Sequence, residues 1–189
     1  MKPWARYLVM AVVGVVVGLG LAIWSIRAGA MGGDVRTGPW TSGTDLGTAD
    51  QSARTRAAVA LRGLLALPAR EARYYNAAVD DAGRPLEGRC QYRVTGGMLP
   101  ARWWSLTLYD GDGYLAGDGP WSVGNAAIAP AEQGRWTILI APTRQPGHWL
   151  PTAGLDRFEL TLRTYLPANA GRTSPARDQL PSIRREACA

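Results

Sequence analysis

Histidine, lysine and phenylalanine each occur once in these 189 residues, and cysteine twice. One imidazole and two thiols leave a transition-metal centre short of the His, Cys or carboxylate ligands it needs at defined spacing. No serine stands in a Gly-x-Ser-x-Gly elbow, and spacing marks no other nucleophile. No cofactor is implied. The formal net charge of +6 rests on arginine, since Lys2 is the sole lysine. Those arginines are scattered and form no stripe. That argues against a nucleic-acid partner and for a solvated surface with mild attraction to anionic lipid.

What the chain does contain is an unbroken, uncharged apolar run from Leu8 to Ile26. At about 1.5 Å per helical residue it covers a hydrocarbon core of about 30 Å. Trp4, Tyr7 and Trp24 stand near its ends, where amphipathic rings favour the headgroup layer. Lys2 and Arg6 precede it and Arg27 and Arg36 follow, so charge orients it weakly. A long hydrophilic domain crosses largely regardless. The expected organisation is a cytoplasmic N-terminus (1–7), a transmembrane signal anchor (8–26), a linker rich in Gly, Thr and Asp (27–50) and a β-rich periplasmic domain (51–189). The protein would then sit single-pass in an inner membrane. Ala28-Gly29-Ala30 offers the alternative of a cleaved signal peptide, although signal-peptide apolar cores are shorter, about 7 to 15 residues. Gly14 and Gly18 form a small-xxx-small pattern that permits a homodimer through this helix.

In an oxidising compartment Cys90 and Cys188 are expected to pair, the alternative being two free thiols. Closing so long a loop is worth on the order of 4 to 5 kcal/mol in the chain-entropy model. The bridge would also pin the Pro- and Arg-rich tail, Pro175 to Cys188.

Thr48 or Asp50 can cap a helix reaching about Leu67, with Ala57, Val59, Leu61, Leu64 and Leu65 near helical spacing and Arg54, Arg56 and Arg62 toward water. Pro68 stops it. From there the period becomes two. Tyr75, Ala77 and Val79 alternate with Tyr74, Asn76 and Ala78, and Asp80-Asp81-Ala82-Gly83 supplies a turn. Cys90, Tyr92 and Val94 share an apolar face, as do Trp104, Leu106 and Leu108, then Trp136, Ile138 and Ile140, then Phe158, Leu160 and Leu162. Short strands between Gly- and Pro-rich turns predict a mainly β fold: an antiparallel sandwich or jelly roll with one N-terminal packing helix.

Several segments in order carry a resemblance. They are Arg56-Ala-Ala-Val-Ala-Leu-Arg-Gly-Leu64, Tyr74-Tyr75, Asp80, Asp81, Gly83 and Arg84, and Leu86-Glu-Gly88 with Tyr92. Then come Trp103-Trp-Ser-Leu-Thr-Leu-Tyr109, Gly113-Tyr-Leu115, Trp149-Leu-Pro151 and Phe158-Glu-Leu-Thr-Leu-Arg-Thr-Tyr-Leu-Pro167. Over Pro39 to Cys188 the chain resembles the bacterial envelope family known as domain of unknown function 1214. The resemblance implies one N-terminal membrane segment and one β-rich domain, and no established chemistry. Where relatives usually carry Asn before Trp-Leu-Pro, this chain has His148. It also inserts Ala116-Gly-Asp-Gly-Pro120 where relatives usually have Asn.

His148 can serve as a general base or as a hydrogen bonder in a turn. Asp110, Asp112 and Asp118 fit a hairpin turn or a loose calcium site; Leu115 and Trp121 at the sixth and twelfth loop positions exclude an EF-hand. Gly111-Asp-Gly-Tyr-Leu-Ala116 matches a dinucleotide fingerprint formally, but Gly117-Asp-Gly-Pro120 forbids the helix that would bind phosphate. Tryptophan is the surplus. Trp103 falls on the polar face opposite Trp104, and with Tyr109, Tyr114 and Trp149 it forms the set of candidate contact residues; core packing is the competing explanation. Two functions remain open. One is a non-enzymatic envelope module binding a glycan, lipid or protein. The other is an envelope hydrolase drawing on Asp110, Asp112, Asp118 and His148.

Overall fold

The computed structural model describes residues 3–28, 35–43, 46–61, 66–115, 117, 119–168 and 175–188. Lys2, Gly29 and Ala30 of the cleavage pattern, Arg62, Leu64, Leu65, Ala116 and the candidate Asp118 lie outside the described residues. Helix α1 (Pro3–Ala28) opens on a proline, which its first position tolerates because the missing amide has no intrahelical partner there. Its stretch Pro3–Ser25 is long and apolar enough to cross a membrane, and its most apolar part is not buried against the rest of the protein.

The remainder is built from two sheets. Strands β1 (Val35–Thr37), β2 (Trp40–Ser42), β3 (Ala72–Ala77), β5 (Ala101–Asp110), β6 (Ser122–Gly124) and β9 (Phe158–Pro167) form one, ordered β1-β2-β3-β9-β5-β6. Strands β4 (Cys90–Gly96), β7 (Trp136–Ala141), β8 (Trp149–Pro151) and β10 (Ser182–Cys188) form the other, ordered β10-β4-β7-β8. All pairings are antiparallel except β7–β8, which is parallel. The sheets close on one core. Phe158, Leu160, Leu162, Leu106 and Leu108 from the first meet Tyr92, Val94, Ile138, Ile140 and Ile183 from the second. Trp104 stacks on Trp136 across the gap with ring centroids 4.5 Å apart, and Tyr92 meets Phe158 edge-on at 5.5 Å. Offset and edge-on ring pairs each add about 0.5 to 1.5 kcal/mol beyond the area they bury.

The packing helix is present but shorter at its start than its caps suggested. Helix α2 (Ala53–Leu61) is capped by Ser52, whose Oγ accepts the Thr55 amide at 3.1 Å, and not by Thr48 or Asp50. Its Val59 joins Leu46, Leu67 and Tyr165 over Ala72 and Tyr74 of β3. That cover explains why every residue of β3 is buried and the alternation expected there is lost: the core holds one face and the α2 segment the other. The segment read as a linker also contributes β1 and β2. Trp40 is fully buried and donates Nε1–H to the Pro181 carbonyl at 2.7 Å, so an indole draws that stretch into the sheet.

Cys90 and Cys188 are bonded as a disulfide, directly opposite each other in the β4–β10 pair. The tail it pins is ordered over 175–188. Arg177 donates to the Leu180 carbonyl at 2.9 Å and to Asp81 Oδ1, and Ile183 exchanges hydrogen bonds with Asp81.

Candidate functional site

Strand β5 sorts its two tryptophans onto opposite faces, because successive side chains along a strand alternate. Trp104 enters the core. Trp103 remains 41% exposed on the outer face and leans on Tyr165 of β9 at a ring separation of 5.0 Å. Along the same outer face lie Ser105, Thr107 and Tyr109 of β5 and Arg163 of β9, which pairs with Ser105 in register. Arg163 donates Nη1–H to Thr107 at 3.0 Å and Nη2–H to the Tyr109 hydroxyl. Its guanidinium also lies 5.5 Å from the Tyr109 ring centre. Burial raises the Tyr165 pKa, Arg163 draws it down, and neighbouring Tyr74 and Tyr109 push it up again. The result is a mixed strip in which an exposed indole stands beside half-buried phenols and a half-buried guanidinium.

The other candidates are not gathered there. Tyr114 is exposed at the turn after β5, and Trp149 belongs to β8 in the other sheet, donating to the Ala141 carbonyl at 3.1 Å beneath Arg144. Asp110 Oδ1 accepts the amides of Asp112 and Tyr114 at 3.0 and 2.8 Å, so its carboxylate closes the β5–β6 hairpin. His148 precedes β8, its carbonyl accepting the Leu139 amide at 2.8 Å and its Nε2 lying 3.7 Å from Glu132. No hydrogen bond or ion pair joins His148 to Asp110 or Asp112 among the described residues. Among those residues no three His, Cys, Asp or Glu side chains are placed to hold a metal ion.

One arginine departs from the surface reading. Arg73 of β3 is 4% exposed and lies on the core side, opposite Thr164 of β9 in register. It lines a cavity of about 290 Å³ at one end of the core. The face that holds Tyr75 and Ala77, carried back by two residues, reaches Arg73; the sequence held that signal.

A family model described as a protein of unknown function (DUF1214) matches residues 71–169, which is 99 of the 189 residues. The chain belongs to this family. No curated protein matches it. Among solved structures it is similar to the VPA0106 protein from Vibrio parahaemolyticus, with a TM-score of 0.60 at 22% identity. That likeness covers 99% of this chain and 46% of the other, so the chain spans about half the length of that relative. A putative uncharacterized protein from Burkholderia cenocepacia matches less well, with a TM-score of 0.43 at 26% identity over 61% of this chain and 29% of that one.

On this DUF1214 fold, several of the residues that carry the resemblance do structural work. Asp80 is buried, its Oδ1 accepting the amides of Ala82 and Arg84 at 3.0 and 2.9 Å and its Oδ2 the Arg84 guanidinium at 2.8 Å. Burial works to raise its pKa, but the Arg84 amide, the Arg84 side chain and the Ala82 amide outweigh it and hold the carboxyl below its usual range. Arg185 of β10 spans the same knot, 3.9 Å from Asp80 and 3.5 Å from Glu87, over the Tyr92 ring. Tyr92 accepts the Glu87 amide at 2.8 Å. Asp80, Asp81, Arg84, Glu87 and Tyr92 therefore tie the C-terminal tail to the sandwich.

Proposed function

We propose that this protein is a non-enzymatic binding module, held at the periplasmic face of an inner membrane by α1, whose outer sheet face engages an envelope glycan. Three things support the reading: an apolar helix that the domain leaves uncovered, a disulfide that suits an oxidising compartment, and the strip on β5 and β9. The strip carries the ligand assignment. Trp103 presents an exposed indole face, on which a sugar ring can stack, beside Tyr165 and the Arg163–Tyr109 pair, which offer donors for hydroxyl groups. A lipid would call for a broader apolar patch than one indole and one phenol. Tyr114 and Trp149 stand away from this strip and belong to the reading only as peripheral contacts.

The deciding experiment is co-sedimentation of the full chain, in non-ionic detergent, with isolated cell-wall glycan and separately with anionic vesicles. Retention on glycan, reduced about tenfold or more by Trp103→Ala at unchanged melting temperature, supports the assignment; tenfold corresponds to about 1.4 kcal/mol. Retention on vesicles alone, or a Trp103→Ala variant that binds glycan as the parent does, overturns it.

A further inference from the structure

Beside Trp103 the outer face of the first sheet carries small side chains. Ser105 of β5 turns outward with Trp103 and Thr107, and Gly124 of β6 pairs with Ser105 in register. A Cβ at Gly124 would stand 2.8 Å from the Trp104 carbonyl oxygen and 3.5 Å from the Trp103 ring, so the glycine keeps the space beside the indole open. Arg163 stands on the other side of Ser105, its register partner from β9. The surroundings are held in place. Thr107 donates to Ser122 at 3.1 Å and accepts Nη1–H of Arg163 at 3.0 Å, while Nη2–H of Arg163 goes to the Tyr109 hydroxyl. Ser105 is 5% exposed, and its hydroxyl has no hydrogen-bond partner among the described residues.

A neutral sugar asks only for donors and acceptors, which hydroxyls and amides supply. Arg163 adds a permanent charge, half-buried against two hydroxyls that cannot neutralise it. Two of its five N–H groups are engaged, and three remain. Among the described residues no carboxylate forms an ion pair with it. Glu159, farther along the same face of β9, pairs in register with Tyr109 and not with Ser105. Charge-assisted hydrogen bonds are about twice as strong as neutral ones, and a carboxylate matches both the planar fork and its single charge. A phosphate monoester carries nearly two charges, more than one guanidinium balances.

The spacing adds a length requirement. Thr107, which holds the guanidinium, lies four residues beyond Trp103, about 13 Å along the strand. That is farther than one sugar ring spans. We propose that the glycan engaged by this face is acidic and runs along β5, one ring stacked on Trp103 and a carboxylate of the adjoining unit, or of a branch on it, seated on Arg163 above Ser105. This inference rests on the glycan reading and narrows it to a ligand class.

The test is co-sedimentation of the full chain, in non-ionic detergent, with isolated cell-wall glycan, native and after its carboxyl groups have been converted to neutral amides. Retention on the amidated glycan should be weaker by about tenfold or more. Arg163→Gln, at unchanged melting temperature, should lose a similar factor on native glycan and hold the two forms alike. Arg184→Gln removes an exposed arginine from β10 of the other sheet and should leave retention unchanged, which separates a seated carboxylate from general attraction to a basic protein. Enzymatic removal of the peptide branches then locates the group: retention that survives puts the carboxylate on the sugar, and retention that is lost puts it on the branch. Equal retention on native and amidated glycan, still weakened by Trp103→Ala, overturns the acidic ligand and leaves the glycan reading standing. Equal losses in Arg163→Gln and Arg184→Gln overturn it too. No retention of the parent on native glycan overturns both. The amidation comparison needs only the parent chain, so it decides the matter even if Arg163→Gln does not fold.

Discussion

Asp80 and Gly88 each hold together pieces of chain that are far apart in sequence. Asp80→Ala strands two amides and the guanidinium groups of Arg84 and Arg185 at a site that excludes water on the carboxylate side. Unsatisfied groups of this kind cost about 2 to 3 kcal/mol, and urea denaturation of Asp80→Ala should show a loss of that size. The pH dependence follows in sign from the lowered pKa. The unfolded carboxyl titrates near 3.9, the folded one below it, so its stabilising effect is complete above the unfolded value and disappears as pH falls through the folded one. Glu87, lowered first by its hydrogen bond from Arg89, acts in the same direction. Asp80→Asn should therefore flatten the stability profile below about pH 4, as read from denaturation midpoints. At Gly88 a Cβ would stand 2.0 Å from the Leu155 carbonyl oxygen, which is backbone and cannot turn aside. Gly88→Ala should cost at least about 1 to 3 kcal/mol by the same measurement, the usual range for overpacking. Neither role is visible in composition, since an Asp-Asp-Ala-Gly turn reads alike whether or not a distant strand depends on it. Arg73 was legible in principle and hidden in practice, because an arginine among arginines looks solvated until the strand face on which it sits is followed inward.

Among the elements, legibility followed length and the number of covered faces. Strand β9 alternates over ten residues with one face in the core, and its period is plain in the sequence. Strands β1, β2, β6 and β8 have three residues each, too few to carry a period, and the parallel pairing of β8 with β7 leaves no local mark. Strand β3 is covered twice and so alternates in chemistry but not in burial. The disulfide acts at this scale. It joins residues 98 apart and ties the last strand to its neighbour at the point where β10 ends. In the chain-entropy model a loop of that length is worth about 4 to 5 kcal/mol. Reduction should lower the denaturation free energy by up to that amount. Hydrogen exchange should show the β10 amides losing protection before those of β5 and β9, because the β4–β10 ladder, the Asp80, Asp81 and Glu87 contacts and the Trp40–Pro181 bond then hold the tail without a covalent tie. Uniform loss across both sheets would mean that the tail and the sandwich unfold as one unit.

For the molecule as a whole, the arrangement of apolar surface is uneven in a way that solvent does not tolerate. Large side chains of the sandwich such as Leu106, Leu160 and Ile138 are fully buried, whereas α1 leaves Leu8, Val12, Val16, Leu19 and Ile23 exposed along its length. A continuous apolar helix in water would aggregate, and a bilayer is an environment that would satisfy that surface. The Pro3–Ser25 stretch of 23 residues rises about 35 Å, enough to span with slight tilt. If α1 anchors the domain on the oxidising side, three observations must agree in cells expressing the full chain with a C-terminal tag. The protein should stay with membranes through an alkaline carbonate wash, and its intact mass should include residues 1–30. Its cysteines should resist a thiol label until a reductant is added. Release by carbonate together with a mass beginning after Ala30 would identify a cleaved leader and leave the domain free in the same compartment. Labelling without reductant would instead remove the bridge, and with it the chemical argument for export, because free thiols at Cys90 and Cys188 are what a reducing cytoplasm maintains.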